Sequence, residues 1–263
     1  MEGKAQRKRR MSAPVSRIRL GSLGPAESVL IALSLLAVCI LIVDPVVMVA
    51  VRDLEEGPRQ FFRAFTDLAK ARWPLMFAAG VLLVLYLFGP HASSRKGEAA
   101  RRHAGHMAGF LVAAVAITGV AASLIKNVIG RARPKHFEDL GAAAFHPFSF
   151  DYDFASFPSG HATSIFAVAA VAAIFWPRAR VYIFLAAAWI AATRFLIGSH
   201  YLSDVIAGAL FGASATYLLC DRLAERRLLF RRNGAGEAEL KGRRTLAWAK
   251  DRLKAAILVK YTQ

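Results

Sequence analysis

The stretch Phe157-Pro158-Ser159-Gly160-His161-Ala162-Thr163-Ser164 lies where a polar loop meets an apolar run of the chain. Pro158 disfavours helix at the residue before it and Ser159 is a good N-cap, so the apolar residues that follow are predicted to be helical. The first amides of such a helix have no partner inside it and favour an anion there. His161 lies beside them, where a histidine suits proton transfer at a phosphate. The same residues also fit an ordinary cap and turn.

A second polar stretch, Lys126–Pro134, closes the apolar run 104–125. Lys126 and Arg133 are seven residues apart, which is two helical turns and one helix face. Pro134 then stops the helix. The two cations could anchor the helix by snorkelling to the membrane surface, or they could clamp a phosphate.

A third stretch, Arg194–Asp204, separates two apolar runs. His200 lies in the polar break, and Asp204 follows it by one helical turn. Asp204 can accept a hydrogen bond from the imidazole, which would fix the tautomer and make the other ring nitrogen a better nucleophile. A purely structural His–Asp pair explains the same spacing.

Together the three stretches resemble the type 2 phosphatidic acid phosphatase (PAP2) superfamily. Its pattern is Lys-x6-Arg-Pro, then Pro-Ser-Gly-His, then Ser-Arg-x5-His-x3-Asp, and the order and spacings match here over roughly residues 100–215. One departure is Thr193, where the family often has serine, and a hydroxyl is kept.

The resemblance implies a lipid phosphate phosphatase that needs no metal or other cofactor and works through a phosphohistidine. It implies His200 as the nucleophile, His161 as the general acid and Asp204 as the group that orients His200. The phosphate-binding set that it implies is Lys126, Arg133, Ser159, Gly160 and Arg194. The family also includes soluble haloperoxidases that hold vanadate in the same cage, so a haloperoxidase-like oxidase is one alternative, and a non-catalytic membrane scaffold or transporter is another.

Composition favours the membrane. Of 263 residues, 56% are hydrophobic, and the mean hydropathy is +0.39. The net charge of +17 lies mostly in the two tails and on one side of the apolar runs, so no nucleic-acid partner is expected. Two cysteines in apolar surroundings imply no disulfide framework.

The predicted fold class is all-α: a polytopic membrane protein with six transmembrane helices and a PAP2-like helical core. The predicted spans are 29–51, 73–89, 104–125, 160–176, 181–197 and 205–220, and the basic stretch 90–103 before the third span is predicted to be a loop. The last three spans are shorter than the ~20 residues that a full span needs, so they could also be core helices of a soluble bundle. Their near lack of charged residues favours the membrane. Asp44-Pro45 predicts a kink or an early end in the first span.

The predicted organisation is a basic cytoplasmic segment (1–28), a six-helix phosphatase domain (29–220) and a basic amphipathic cytoplasmic tail (221–263). The stripe Leu246, Ala249, Leu253, Ala256 and Ile257 predicts a helix on an anionic membrane surface, with a protein partner as the alternative.

Two segments between the spans carry aromatic residues. In 52–72, Phe61, Phe65 and Leu68 recur at helical spacing, which predicts an amphipathic helix either at the membrane interface or packed on the domain. In the loop 127–157, six aromatic side chains either line an entrance near lipid or form a small loop core: Phe145, Phe148, Phe150, Tyr152, Phe154 and Phe157.

The distribution of positive charge predicts the topology. With six spans both termini share one side, and that side holds 25 of the 35 Lys and Arg residues. The positive-inside rule puts it in the cytoplasm, so all three motifs face the periplasm of a bacterial inner membrane. The expected substrate is a lipid phosphate or diphosphate: undecaprenyl diphosphate, phosphatidylglycerophosphate, phosphatidic acid or a lipid A phosphate. The sequence indicates no particular oligomeric state.

Overall fold

Long apolar helices make up most of the computed structural model, which describes residues 24–88, 94–232, 234 and 238–241. The helices are α1 (Pro25–Val38), α2 (Asp44–Arg52), α3 (Glu56–Thr66), α4 (Arg72–Phe88), α5 (Arg95–Ile129), α6 (Phe137–Leu140), α7 (Gly160–Phe175), α8 (Arg180–Leu196) and α9 (Leu202–Glu225). Strands β1 (Phe230–Arg232) and β2 (Ala238–Leu240) pair as an antiparallel hairpin. The structure is mostly helical, as predicted for a membrane protein, but the hairpin departs from the predicted all-α class.

All six predicted spans are helical, but they differ in length. Within the described residues, four helical segments are long and apolar enough to cross a membrane: Ala26–Arg52, Arg95–Ile129, Pro177–Leu196 and Leu202–Glu225. Arg72–Leu87 and Gly160–Phe175 are apolar but shorter. The 16 residues of α7 reach about 24 Å, less than the ~30 Å of a hydrocarbon core. Six crossings therefore remain a prediction.

The first apolar run bends without ending at Asp44-Pro45. A π-helical turn, Cys39–Val43, joins α1 to α2, and the amide of Asp44 bonds to the carbonyl of Cys39. Proline lacks the amide that would continue the regular ladder, and a wider turn accommodates that loss. The helical run thus continues to Arg52 and carries Asp44 into the protein.

Two predicted boundaries are wrong. The basic stretch before the third span is helical rather than a loop, because α5 begins at Arg95, where the Ser94 side chain accepts a hydrogen bond from the Gly97 amide. The sixth predicted span ends at residue 220, but α9 continues to Glu225. The hairpin that follows buries Phe230 against Phe110, with ring centroids 5.0 Å apart. The predicted amphipathic stripe at 246–257 lies outside the described residues.

Helix α7 lies at the centre of the bundle and packs on α5, α8 and α9. Its contact with α9 is close because two glycines of α9 lack a side chain there. A Cβ at Gly208 would lie 2.5 Å from the carbonyl oxygen of Ser159, and one at Gly212 would lie 2.2 Å from that of Thr163. This small-residue packing brings the beginnings of α7 and α9 together.

Helix α3 packs on the bundle, as one of the two alternatives predicted. Phe62 contacts Trp189 of α8 with ring centroids 6.3 Å apart, and the hydroxyls of Thr66 and Thr193 are 3.1 Å apart. Phe61 points outward and is exposed.

The segment between α5 and α7 folds back over one end of the bundle. Gly130 ends α5 with φ of +63°, and a Cβ there would lie 1.7 Å from the carbonyl oxygen of His146, so only glycine suits this position. Phe148, Phe150 and Tyr152 are 71%, 85% and 69% exposed, which is contrary to a packed loop core.

Candidate active site

The predicted site residues meet where α5 and α8 end and α7 and α9 begin. Ser159 caps α7 through its side chain, and its amide donates to the carbonyl of Asp204 at 2.9 Å, which joins the second motif to the third. Lys126 brings the first motif to the other two because its side chain lies against Gly160. The Nζ of Lys126 would be 3.7 Å from a Cβ placed on that glycine. The same Nζ donates to the carbonyl of Ala155 at 3.2 Å.

Arg133 lies in the loop after α5 and is fixed by its neighbours. Its Nε donates to the carbonyl of Tyr152 at 2.8 Å, and its guanidinium lies 3.8 Å from the centroid of that ring. Longer bonds of 3.4 Å reach the carbonyls of Ser199 and Ala155. Arg133 is thus held between the loops that carry the second and third motifs.

Arg194 and His161 each present a buried nitrogen that makes no hydrogen bond within the described residues: Nε of Arg194 and Nε2 of His161. Such groups are normally satisfied in folded proteins. The charges that act on His161 include those of Arg194 and Lys126. A phosphate dianion would offset these cations and accept a hydrogen bond from Nε of Arg194, and also from Nε2 of His161 when that nitrogen carries a proton.

His200 is 2% exposed and lies in the turn before α9. Burial lowers the pKa of its imidazole to about 4, and the charges of Lys126 and Arg194 act in the same direction, whereas Asp204 opposes them. The ring is therefore neutral at pH 7, the state in which a histidine can attack phosphorus.

The predicted hydrogen bond between His200 and Asp204 is absent. Nδ1 of His200 lies 3.6 Å from Oδ2 of Asp204, too far for a hydrogen bond. That oxygen instead accepts from the hydroxyl of Ser156 at 2.6 Å and from the amide of Tyr201 at 3.0 Å. Asp204 therefore acts on His200 as a nearby charge, with Nε2 as the ring nitrogen turned away from it.

Arg131 is a member of this cluster that the sequence did not single out. It is fully buried, and its Nη1 donates to Oδ1 of Asp204 at 2.6 Å. Its Nη2 donates to Oδ2 of Asp44 at 2.8 Å, from the first apolar run. The available signal was the carboxylate of Asp44 itself, because an ionisable residue inside an apolar span requires a partner.

Thr66 is a second residue that the sequence did not single out. Its hydroxyl lies 2.9 Å from Nη1 of Arg194, the nitrogen that donates to it. Nothing in the sequence around this threonine indicates the contact, because it depends on how α3 packs against α8.

Positive charge at the site comes from Lys126, Arg133 and Arg194. Across the described part of the chain, no group of three or more His, Cys, Asp and Glu residues is arranged to hold a metal ion.

Residues 107–227 match the model of the PAP2 superfamily. Lipid A 1-phosphatases of Rhizobium johnstonii and Rhizobium etli are 46% and 45% identical to the chain over 122 residues. These matches cover 46% of this chain and 50% and 53% of the relatives, so the chain spans about half the length of the curated relatives it matches.

A transmembrane PAP2 type phosphatidylglycerolphosphate phosphatase from Bacillus subtilis is 17% identical, with a TM-score of 0.47 over 74% of this chain and 93% of that one. The segment that matches the family model contains all three motifs, from Lys126 to Asp204. Over the segment 107–227 the chain is therefore similar in sequence to the PAP2 superfamily.

Proposed function

We propose that the chain is an integral membrane lipid phosphatase that releases phosphate from a lipid phosphate or diphosphate through a phosphohistidine on His200, without a metal. The observation that carries the proposal is the meeting of three cations and two histidines at one end of an apolar helical bundle. A lipid headgroup lies at that level when the helices cross a bilayer.

In the first step the phosphate binds between Lys126, Arg133 and Arg194, with the Ser159 hydroxyl and the Gly160 amide at the beginning of α7 as further donors. Nε2 of His200 attacks phosphorus, and the P–O bond to the lipid breaks. The bound phosphate dianion offsets the charges of Arg194 and Lys126, which allows His161 to be protonated, and His161 then gives its proton to the leaving lipid oxygen. The carboxylate of Asp204 stabilises the positive charge that develops on His200.

In the second step a water molecule attacks the phosphohistidine. His161 takes the proton of this water, the P–N bond breaks and inorganic phosphate leaves. His200 is then neutral and His161 is protonated again, so the cycle closes without a further reactant. The three cations stabilise the charge on the phosphoryl oxygens in both steps, which is the role a metal has in other phosphatases.

An apolar cavity lies within the bundle, on the side of α7 that faces α4 and α5. It has a volume of about 570 Å³ and lies between α4, α5 and α7, with Val168 and Trp176 among its lining residues. Val168 is seven residues along α7 from His161, or about 10 Å. Trp176 follows the last residue of α7, about 22 Å from His161, so the cavity extends from the level of Val168 toward the opposite end of the bundle.

Among lipid phosphates we propose lipid A bearing a 1-phosphate as the first candidate, because both curated relatives are named Lipid A 1-phosphatase. Undecaprenyl diphosphate, phosphatidylglycerophosphate and phosphatidic acid present the same chemistry. We further propose a bacterial inner-membrane protein with cytoplasmic termini, a periplasmic site and basic tails that contact anionic lipid.

The test is phosphate release from these four lipids in mixed micelles. The wild type should act on at least one of them, with turnover that persists in EDTA, and His200→Ala should abolish turnover because the nucleophile is gone. His106→Ala, an exposed histidine on α5, is the matched control and should keep wild-type kcat. Absence of release from every lipid would refute the function, and an active, folded His200→Ala protein would refute the mechanism.

A further inference from the structure

Asp44 is a fully buried carboxylate inside the first apolar run, which reaches from Ala26 to Arg52. Burying an ionised group at such a depth is costly unless partners compensate it. Asp44 has three: Nη2 of Arg131 at 2.8 Å, the amide of Ser203 at 2.9 Å and the Ser203 hydroxyl. Arg131 also binds Asp204, and Ser203 is the residue that precedes Asp204 in the chain.

Arg131 uses its whole donor capacity in this cluster. A guanidinium has five N–H donors. Nε and Nη2 both donate to the carbonyl of Ala142, at 3.0 and 2.6 Å, and Nη2 also binds Asp44. Nη1 donates to the Ser203 hydroxyl at 2.7 Å and to Asp204 at 2.6 Å. The guanidinium therefore has a single fixed orientation.

The chain of contacts ends at the candidate nucleophile. Arg131 holds Oδ1 of Asp204, Ser156 and Tyr201 hold Oδ2, and that oxygen lies 3.6 Å from the ring of His200. Asp44 contacts none of the reacting groups. Any effect that it has on His200 must pass through Arg131 and Asp204.

We propose that Asp44 is a positioning residue for phosphoryl transfer, which holds Arg131 so that Asp204 remains beside His200 as a charged carboxylate. This inference rests on the proposed phosphatase function. It assigns a role in the chemistry to the first helical run, which lies outside the segment that matches the family model.

The charge balance of the buried cluster gives the physical reason. Asp44, Arg131 and Asp204 together carry one net negative charge, and the side chains of all three are fully buried. When His200 becomes positive during attack, the four groups together become neutral. Without the charge of Asp44, the positive charge of Arg131 would cancel the negative charge of Asp204. The positive ring of His200 would then lie beside a neutral pair. In a poorly solvated interior that difference raises the barrier to attack.

A stabilising role alone explains the arrangement less well. Desolvation offsets much of the attraction in a buried ion pair, so such a pair adds little net stability. A hydrophobic contact would join the first helical run to α9 without this desolvation cost. A charged contact differs because it also acts on Asp204.

The experiment compares Asp44→Asn and Ser203→Ala with the wild type in micelles of a lipid phosphate that the wild type hydrolyses. Asp44→Asn keeps the shape and removes the charge, and Ser203→Ala removes the hydroxyl between Asp44 and Arg131. We expect kcat per folded molecule to fall at least about 10-fold in Asp44→Asn, and less in Ser203→Ala. KM should stay within about threefold, because the interaction acts in the transition state.

The matched control is Thr118→Val, which removes a fully buried hydroxyl that bonds to the carbonyl of Ala114 in the middle of α5. It should lose stability without losing kcat per folded molecule. Should Asp44→Asn not fold, Ser203→Ala decides the question on the same readouts. Wild-type kcat in the folded variants, a rise in KM alone, or an equal loss of kcat in Thr118→Val would overturn the positioning role and leave the phosphatase function standing. An inactive wild type would overturn the function and this inference with it.

Discussion

At the scale of single residues, the candidate site separates into groups that face the phosphate position and groups that hold them. Lys126, Arg133 and Arg194 supply the positive charge. Thr66 and Arg131 each direct one charged group of the site, Arg194 and Asp204 respectively. A substitution of Thr66 or Arg131 should therefore change the orientation of Arg194 or Asp204. It should leave the three cations at the phosphate position in place.

Arg194→Lys tests whether the guanidinium itself is needed. Lysine keeps the charge but offers a point donor in place of a planar fork, so it cannot hold two phosphoryl oxygens and Thr66 at once. We expect kcat for lipid phosphate hydrolysis to fall at least about 10-fold, because removing a donor from a developing oxyanion typically costs about 10²–10³.

The control for that substitution is Arg180→Lys, at the exposed beginning of the same helix. It should keep wild-type kcat, and both variants should keep the thermal stability of the wild type. Wild-type kcat in Arg194→Lys would leave this residue as a membrane anchor, which is the role that snorkelling alone predicts.

At the scale of elements, the site depends on how closely α7 and α9 approach. Ser159 and His161 lie at the beginning of α7, and Asp204 lies at the beginning of α9, so the separation of the two helices sets the distance between the proposed acid and the carboxylate. Gly208 and Gly212 permit the contact because a methyl group at either position would overlap the α7 backbone. The two glycines are four residues apart on one face of α9.

Gly212→Ala should separate α7 from α9 and destabilise the fold. Its Cβ would lie 2.2 Å from the carbonyl oxygen of Thr163, so backbone must move, and overpacking of this kind costs about 1–3 kcal/mol. Gly119→Ala on α5 is the matched control, because a Cβ there meets nothing within 4 Å. Thermal unfolding in detergent should give a lower midpoint for Gly212→Ala alone. Equal midpoints for the two variants would contradict the packing described for α7 and α9.

Element positions were largely predictable from the sequence, because apolar runs and helix-terminating residues such as Pro134 act locally. Boundaries failed where local signals conflict with packing. The basic residues before Ala104 suggested a loop, although Lys and Arg are compatible with helix and Ser94 supplies a cap. The extension of α9 and the burial of Phe230 against Phe110 depend on tertiary contacts that no local pattern contains.

The site was predictable to the extent that its residues lie in motifs. The order and spacing of the three motifs identified the proposed catalytic and phosphate-binding groups, whereas Arg131, which lies inside the first motif, was missed. Asp44 and Thr66 lie 87 and 128 residues before the partners that they contact, Arg131 and Arg194. Such pairings follow from the packing of whole helices, and a sequence motif carries no information about them.

At the scale of the whole molecule, the distribution of charge and the position of the site together predict the membrane topology. Lys126, Arg133 and Arg194 lie at one end of the bundle. The loop between α7 and α8 lies at the other end, because α7 leads from the site to it and α8 leads back. If the basic residues of that loop and of the tails are cytoplasmic, the site faces the periplasm. The substrate would then be a lipid of the outer leaflet.

Cysteine labelling in whole cells tests this topology. Leu140→Cys places an exposed thiol in the loop on the side of the site, and Arg178→Cys places one between α7 and α8, each in a chain whose Cys39 and Cys220 have been replaced by alanine. We expect a membrane-impermeant maleimide to label Leu140→Cys in cells with a permeable outer membrane and an intact inner membrane. Arg178→Cys should be labelled only after the inner membrane is opened. The two variants control each other, since both thiols are exposed and each reports the opposite side. The reverse pattern would turn the site to the cytoplasm, where only lipids of the inner leaflet could reach His200.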